Sequence, residues 1–223
     1  MLLDTLAIVH RHTFLEEAFN LVAPEDVRWL FISHEDRDHT GCLMQILDRC
    51  PNATLITSFI GLGKLGEEFS VPIDRVHMLN DGDTLDIGDR TVTAIRPPLY
   101  DSSATRGLWD PKNRIYYAAD CFGIVSPESP QYTDEMNDTD FEEGYFWMNR
   151  VNHAWYEHVM PDALAESADS IKALDPAMIV SGHGPVESRD PGRMCDLIKQ
   201  VSGMEPVHMP DHSEFVQMLE GNG

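Results

Sequence analysis

Residues 27–41 read VRWLFISHEDRDHTG, and the two halves of that stretch obey different rules. Apart from Arg28, Val27 to Ile32 is a short apolar run of β-branched, aromatic and aliphatic residues, which fits a buried strand. The following SHEDRDHTG places His34, Asp36, Asp38 and His39 within six positions, directly after that strand. A loop at a strand end can turn several side chains onto one point without disturbing the core. Imidazole nitrogen and carboxylate oxygen are competent ligands for zinc, iron or manganese, and a carboxylate can bridge two ions. Glu35, Asp36 and Asp38 also crowd negative charge beside the single Arg37, a costly arrangement in a cleft unless cations neutralise it.

Outward from this stretch, helix and strand signals alternate. LEEAFNLV at 15–22, closed by Pro24, predicts a short helix, and CLMQILDRC at 42–50 predicts another, stopped at Pro51. ATLITS at 53–58 reads as a strand, and FIGLGKLGEEF at 59–69 as a helix or a helix plus turn. DGDTLDIGD at 81–89 has the turn residues of a hairpin, and RTVTAIRPP at 90–98 alternates as a strand until its paired prolines stop it. RIYYAA at 114–119 is a further strand and runs into Asp120. Residues 115–149 carry eight acids and no Lys or Arg, with prolines at 127 and 130, the composition of a lid, a long loop or a subunit contact. Helix is expected over 153–174 around Pro161, a short strand at Ala177 to Val180 running into SGHGPV, and a helix at 191–200; the last twenty residues show no pattern. No repeat or linker interrupts the chain. It reads as one α/β domain over 1–223, with its motifs in 3–186 and a helical or irregular tail at 190–223.

Composition narrows the function. Thirty-eight acidic against sixteen basic residues give a net charge of −22, and no basic cluster offsets it, so a nucleic-acid partner is not expected. The chain has no apolar run approaching the roughly 20 residues of a spanning helix, and its first residues lack the pattern of a signal peptide. No membrane association and a cytoplasmic location are therefore expected. Cys42, Cys50, Cys121 and Cys195 form no CxxC pair and are expected to be buried free thiols.

Asp120 at a strand end and His183 between two glycines are weak signals alone. Taken with His34-Glu35-Asp36-Arg37-Asp38-His39-Thr40-Gly41, they resemble the metallo-β-lactamase superfamily, whose hallmark is His-x-[His/Glu/Asp]-x-Asp-His-x-Gly after a strand. The resemblance implies an αββα sandwich. Asp36, a carboxylate where zinc hydrolases of the superfamily usually carry histidine, is similar to the non-haem di-iron branch: the flavodiiron oxygen and nitric-oxide reductases and their oxygen-binding relatives. Ala119 to Gly123 resembles that branch's bridging-aspartate stretch, and Tyr156 to Pro161 its helix before the last ligand. By this resemblance His34 and Asp36 hold one ion, Asp38 and His183 the other, and Asp120 bridges them, with His39 either a ligand or a group bonded behind one. The branch's third histidine has no counterpart between 77 and 153; Tyr100 or Asp101 stands in its place, or the first site is vacant.

The superfamily also carries strands before a Leu-Ile-Asp-Thr-like segment that this chain meets already at Leu2-Leu3-Asp4-Thr5. The fold is therefore expected to be truncated at its amino end, leaving a sheet edge exposed or completed by another chain, which implies a homo-oligomer. No flavodoxin domain, and so no bound FMN, is expected.

Three readings of the chemistry follow from the resemblance. The first is a di-iron centre that binds or reduces O2 or NO, with two iron ions (manganese, zinc or a single metal as alternatives) and electrons from a separate partner such as rubredoxin or a flavoprotein. The second is a metal-dependent hydrolase of thioesters, lactones or phosphoesters, with Asp38 or Asp120 orienting the nucleophile. The third is a degenerate, non-catalytic member.

Overall fold

The computed structural model describes residues 1–221. In chain order the first half holds β1 (Leu2–Leu3), α1 (Arg11–Leu21), β2 (Trp29–Phe31), α2 (Arg37–Thr40), α3 (Leu43–Arg49), β3 (Thr54–Thr57), α4 (Phe59–Glu68) and β4 (Val76–Met78). The second half holds β5 (Thr84–Asp86), β6 (Thr91–Ile95), β7 (Gly107–Asp110), β8 (Ile115–Tyr117), α5 (Asp138–Val151), α6 (Pro161–Ala173), β9 (Met178–Val180), α7 (Pro191–Ile198) and α8 (His212–Gly221). Strands β1-β2-β3-β4 form an all-parallel sheet and β5-β6-β7-β8-β9 a second sheet, antiparallel except for the parallel β8–β9 pair.

The buried side chains fall into three layers, and the two-residue period of each strand explains why. In β2, Leu30 packs outward with Leu43, Ile46 and Leu47 of α3, whereas Phe31 packs inward with Val92, Leu108 and Tyr117 of the other sheet. In β3, Leu55 faces the helices and Ile56 the opposite sheet; in β8, Tyr116 joins the layer under α5, α6 and α7 while Tyr117 faces inward. Both faces of these strands are covered, so their sequences read as continuous apolar runs. The result is the helix–sheet–sheet–helix sandwich of the metallo-β-lactamase superfamily.

Several expectations are refined. β4 and β7 add strands that the sequence reading passes over, and the tail contains α8, which buries none of its residues. The helix expected over 153–174 is a 3-10 turn (Ala154–His158) followed by α6, with Pro161 in its first turn, where a missing N–H costs nothing. The acidic stretch passes from β8 through a loop into α5, whose start is capped by the Asn137 side chain accepting from the Asp140 N–H. The two-residue β1 forms one edge of the first sheet, and Leu3, Leu6, Ile8 and Val9 near it are exposed. All four cysteines are buried and free. Among the described residues no helix is long and apolar enough to cross a membrane.

This architecture places four loops together. β2, β6, β8 and β9 all deliver their carboxyl ends to one rim of the sandwich, the position at which open α/β sheets collect ligands. His34, Asp120 and His183 each lie three residues beyond the last residue of their strand, Phe31, Tyr117 and Val180 respectively.

Candidate metal centre

His34 is wholly buried, and its two ring nitrogens do different work. Nδ1 donates to Ser33 Oγ at 2.9 Å, which fixes the ring and turns Nε2 toward Asp101 Oδ2 at 3.2 Å and toward Asp36 Oδ2 and Asp120 Oδ2, each at 3.8 Å. His39 is held in the same way by another partner: Nδ1 donates to Asp4 Oδ2 at 2.7 Å, and Nε2 lies 2.8 Å from Asp120 Oδ1 and 3.6 Å from Asp38 Oδ2. His183 Nε2 lies 3.3 Å from Asp38 Oδ2 and 3.4 Å from Asp120 Oδ2. The sequence-predicted His34, Asp36, Asp38, His39, Asp120 and His183 thus converge on one point.

The donors sort into two pockets around a shared carboxylate. His34, Asp36 and Asp101 offer three ligand atoms within 4.8 Å of one another, and so do Asp38, His39 and His183. A third such group, His34, His39 and Asp120, lies between them. His34 Nε2, His39 Nε2 and Asp120 Oδ1 are all buried and none makes an aligned hydrogen bond, although His39 Nε2 and Asp120 Oδ1 lie 2.8 Å apart, an expensive state for polar atoms unless something else occupies their lone pairs. Three nitrogen donors and four carboxylates aimed at two adjacent points fit a pair of divalent transition-metal ions.

Without metal, protons take over part of that role. Burial works against a charge on His39, but the Asp4 and Asp120 carboxylates outweigh it and hold the imidazole up at about 11. Hydrogen bonds to Asp120 and Asp38 raise His183 to about 9. Burial likewise opposes ionisation of Asp101, yet the His34 contact brings it down to about 2, and Asp120 is held far below the usual carboxylate range by His183 and His39. The metal-free site is therefore a cluster of imidazolium–carboxylate pairs, and cation binding has to displace protons from it.

Of the two residues standing where the third histidine is expected, the structure brings Asp101 to the cluster. Asp101 Oδ1 accepts from its own loop, from the Ser102 N–H at 2.8 Å and Thr105 Oγ1 at 3.0 Å, leaving Oδ2 to face His34. Tyr100 is not brought in. Its ring packs on Trp155, with centroids 5.1 Å apart, and beneath the Arg96 guanidinium, in the wall of a cavity that none of the clustered residues lines.

Several neighbours of the cluster escape the sequence reading. Asp4, though part of the segment that carries the resemblance, has no role assigned there; in the fold it is buried and receives Ser33 N at 2.7 Å, Ser33 Oγ at 2.6 Å, His39 Nδ1 and the Tyr117 hydroxyl. Asn152 donates to Asp120 Oδ2 at 2.8 Å. Backbone strain also collects here: Asp4, Ala119 and Phe122 adopt positive φ of 52°, 51° and 63°, uncommon for residues with a Cβ and typical of functional sites. Gly184, at φ 101°, needs its lack of a side chain, because a Cβ would sit 2.4 Å from the Ile124 carbonyl oxygen. That close approach keeps His183 at the rim. Beside His183 a cavity of about 490 Å³, lined in part by Ile124, Val125, Met148 and Glu128, opens to solvent.

Comparison with known proteins places the fold in a family. Rubredoxin-oxygen oxidoreductase of Megalodesulfovibrio gigas is 22% identical over 190 residues, which cover 83% of this chain and 46% of that protein. The flavodiiron protein of Giardia intestinalis superposes with a TM-score of 0.78 at 18% identity, over 89% of this chain and 48% of that one. A chemotaxis sensor termed ODP, solved as its peroxy di-iron species, superposes with a TM-score of 0.69 at 18% identity, over 97% of this chain and 84% of that one. The chain spans less than half the length of the curated relatives it matches first. Residues 1–184 match the family described as ODP family beta lactamase, and the chain belongs to that family, a flavodiiron-like branch of the metallo-β-lactamase superfamily.

Proposed function

We propose that the protein carries a two-metal centre of the di-iron type and uses it to bind O2 or NO. The observation that carries this reading is the pair of three-residue pockets, His34/Asp36/Asp101 and Asp38/His39/His183, on either side of the buried Asp120. Asp120 would bridge the two ions. When bound, a reduced iron pair supplies electrons and open coordination positions for a diatomic ligand. The protein's own part is to orient the donors and leave a path in, and the solvent-open cavity against His183 supports such a path.

Donor chemistry favours iron or manganese over zinc. Asp36, Asp38, Asp101 and Asp120 bring four negative charges, which two divalent cations neutralise once the imidazoles lose their protons. A set richer in carboxylate than imidazole is hard in character and suits a redox-active ion. The names of similar proteins, an oxygen oxidoreductase and a di-iron sensor, support the same ligand class. Electrons for any turnover would come from a separate donor protein.

Anaerobic reconstitution with equimolar Fe(II) and Zn(II), followed by elemental analysis, tests the reading. The expected result is ~2 iron per chain and an absorption spectrum that changes on adding O2 or NO. Zinc retained against iron would instead put the hydrolase reading first, with Asp38 and Asp120 orienting the nucleophile, and metal far below one per chain would favour the degenerate one.

A homo-oligomer belongs to the same proposal. The short edge strand β1 and exposed Leu3, Leu6, Ile8 and Val9 support it, since unpaired edges and apolar surface are costly in water. Light scattering at micromolar concentration is expected to give at least twice the 25.2 kDa chain mass; a stable monomer would overturn it.

A further inference from the structure

We infer that Glu35, Ser102 and Lys64 form a clamp that joins the two loops of the His34/Asp36/Asp101 pocket and sets how tightly that pocket keeps its metal. The inference rests on the two-metal reading above. Glu35 sits between His34 and Asp36, and Ser102 follows Asp101 directly, so the clamp couples the peptide bearing two of the pocket's donors to the peptide bearing the third.

The contacts are closed and specific. Ser102 Oγ donates to the Glu35 carboxylate, with its oxygens 2.9 and 2.8 Å away, and accepts from Lys64 Nζ at 3.0 Å and the Ala104 N–H at 3.1 Å. Lys64, on α4, also donates to Glu35. Ser102 is buried and the other two side chains are partly exposed. Glu35 thus turns its charge onto a cation and a hydroxyl while its neighbours Asp36 and His34 turn to the centre. A fifth carboxylate is kept from competing for the ions.

Two further ties also hold the second loop, the backbone Arg106 N–H to Ser33 O at 3.1 Å and the Ser58 hydroxyl to Ala104 O at 3.0 Å. They preserve the loop's path when the clamp is cut. What the clamp adds is the setting of Asp101 against His34 and Asp36, because it acts on the residues immediately beside all three. The Asp38/His39/His183 pocket takes its support elsewhere, from Asp4 behind His39. Asp4 also reaches His34 through Ser33 Oγ, so it is a support common to both pockets, whereas the clamp touches only the loops of the first; loss of the clamp should therefore separate them.

The test is iron retention in the full chain: anaerobic loading with Fe(II), dialysis against a weak chelator, and iron counted over time. Ser102→Ala removes the hydroxyl with no change of charge, Glu35→Ala cuts the clamp from the other loop, and Asp101→Ala marks what a directly emptied pocket looks like. Ser102→Ala and Glu35→Ala are each expected to release one iron about 10-fold faster than the unmodified protein while keeping the other, converging on the count of Asp101→Ala. Ser102→Thr, which restores the hydroxyl, is expected to retain both. Thermal melting of the metal-free variants should stay close to that of the unmodified protein. Retention of both irons at unmodified rates, or loss of both together, would overturn the clamp. An unmodified protein that never takes up two ions would overturn the two-metal reading itself, an outcome visible before any variant is compared.

Discussion

Asp120→Ala is expected to empty the centre of metal and to cost the metal-free protein about 3–5 kcal/mol, the scale for removing one partner of a buried ion pair. Asp120 is 3% exposed and is the carboxylate that all three imidazoles face, His39 at 2.8 Å, His183 at 3.4 Å and His34 at 3.8 Å. Its removal leaves imidazolium charge in a cleft with less to compensate it. Because the folded protein holds the Asp120 carboxyl well below the ordinary aspartate value of 3.8, its stabilisation is fully present above that value and is lost as pH falls from there through the folded one. The loss in the variant should accordingly be complete at pH 7. Urea denaturation of chelator-treated protein measures the stability, and elemental analysis after Fe(II) loading the metal. Asp120→Asn, which keeps the volume but not the charge, is expected to lose metal as fully. Two ions retained in Asp120→Ala would exclude a bridging role.

The centre was legible in the sequence to the extent that it follows single strands. The largely apolar run of 27–32 announces β2, and the polar residues after it are side chains that the fold clusters; the same grammar holds at Asp120 after β8 and His183 after β9. What escapes depends on pairing between distant segments. Asp4 lies one residue past a two-residue strand too short to recognise, and it reaches His39 because β1 pairs parallel to β2 with Leu3 opposite Phe31. The choice between Tyr100 and Asp101 is likewise undetermined by the sequence, since both follow the same paired prolines. Tertiary contacts decide it: Arg96 and Trp155 take the Tyr100 ring, and Ser102 and Thr105 aim Asp101. β4 goes unread because two of its three residues are exposed and it shows no apolar run.

The local texture of the site explains why so many acids tolerate one another. Each carboxylate has a cationic or donor partner: Asp120 the imidazoles and Asn152, Asp38 His183, Asp101 His34, and Glu35 Lys64. Asp36, half-buried and flanked by like charges, is the exception, and burial together with those neighbours raises its carboxyl despite the opposing pull of His34. It is the donor with most to gain from a cation.

Asp4→Asn is expected to disable the centre from behind, although the amide matches the carboxylate in size. Four donors converge on the two Asp4 oxygens: the Ser33 N–H on Oδ1, and Ser33 Oγ, His39 Nδ1 and the Tyr117 hydroxyl on Oδ2. An amide accepts at one end alone, so either orientation sets an NH2 group against a donor. The damage spreads to both pockets. Asp4 holds the proton of His39 on Nδ1 directly, and through Ser33 Oγ it orients the Nδ1–H of His34, leaving each Nε2 free to face the metal. Metal affinity is expected to fall about 10- to 100-fold, the range for partners behind ligating histidines. In metal-free protein the substitution is expected to cost about 3–5 kcal/mol at pH 7. That cost should depend on pH with a definite sign. His39 is raised in the folded protein from 6.5 to about 11, so its pairing stabilises fully below the unfolded value and is lost as pH rises through the folded one. Urea denaturation of the two metal-free proteins at pH 7 and pH 10.5 should therefore show the gap between them narrowing at the higher pH. An equal gap at both would mean that Asp4 supports His39 as a neutral hydrogen-bond acceptor and not as the counter-charge of an imidazolium.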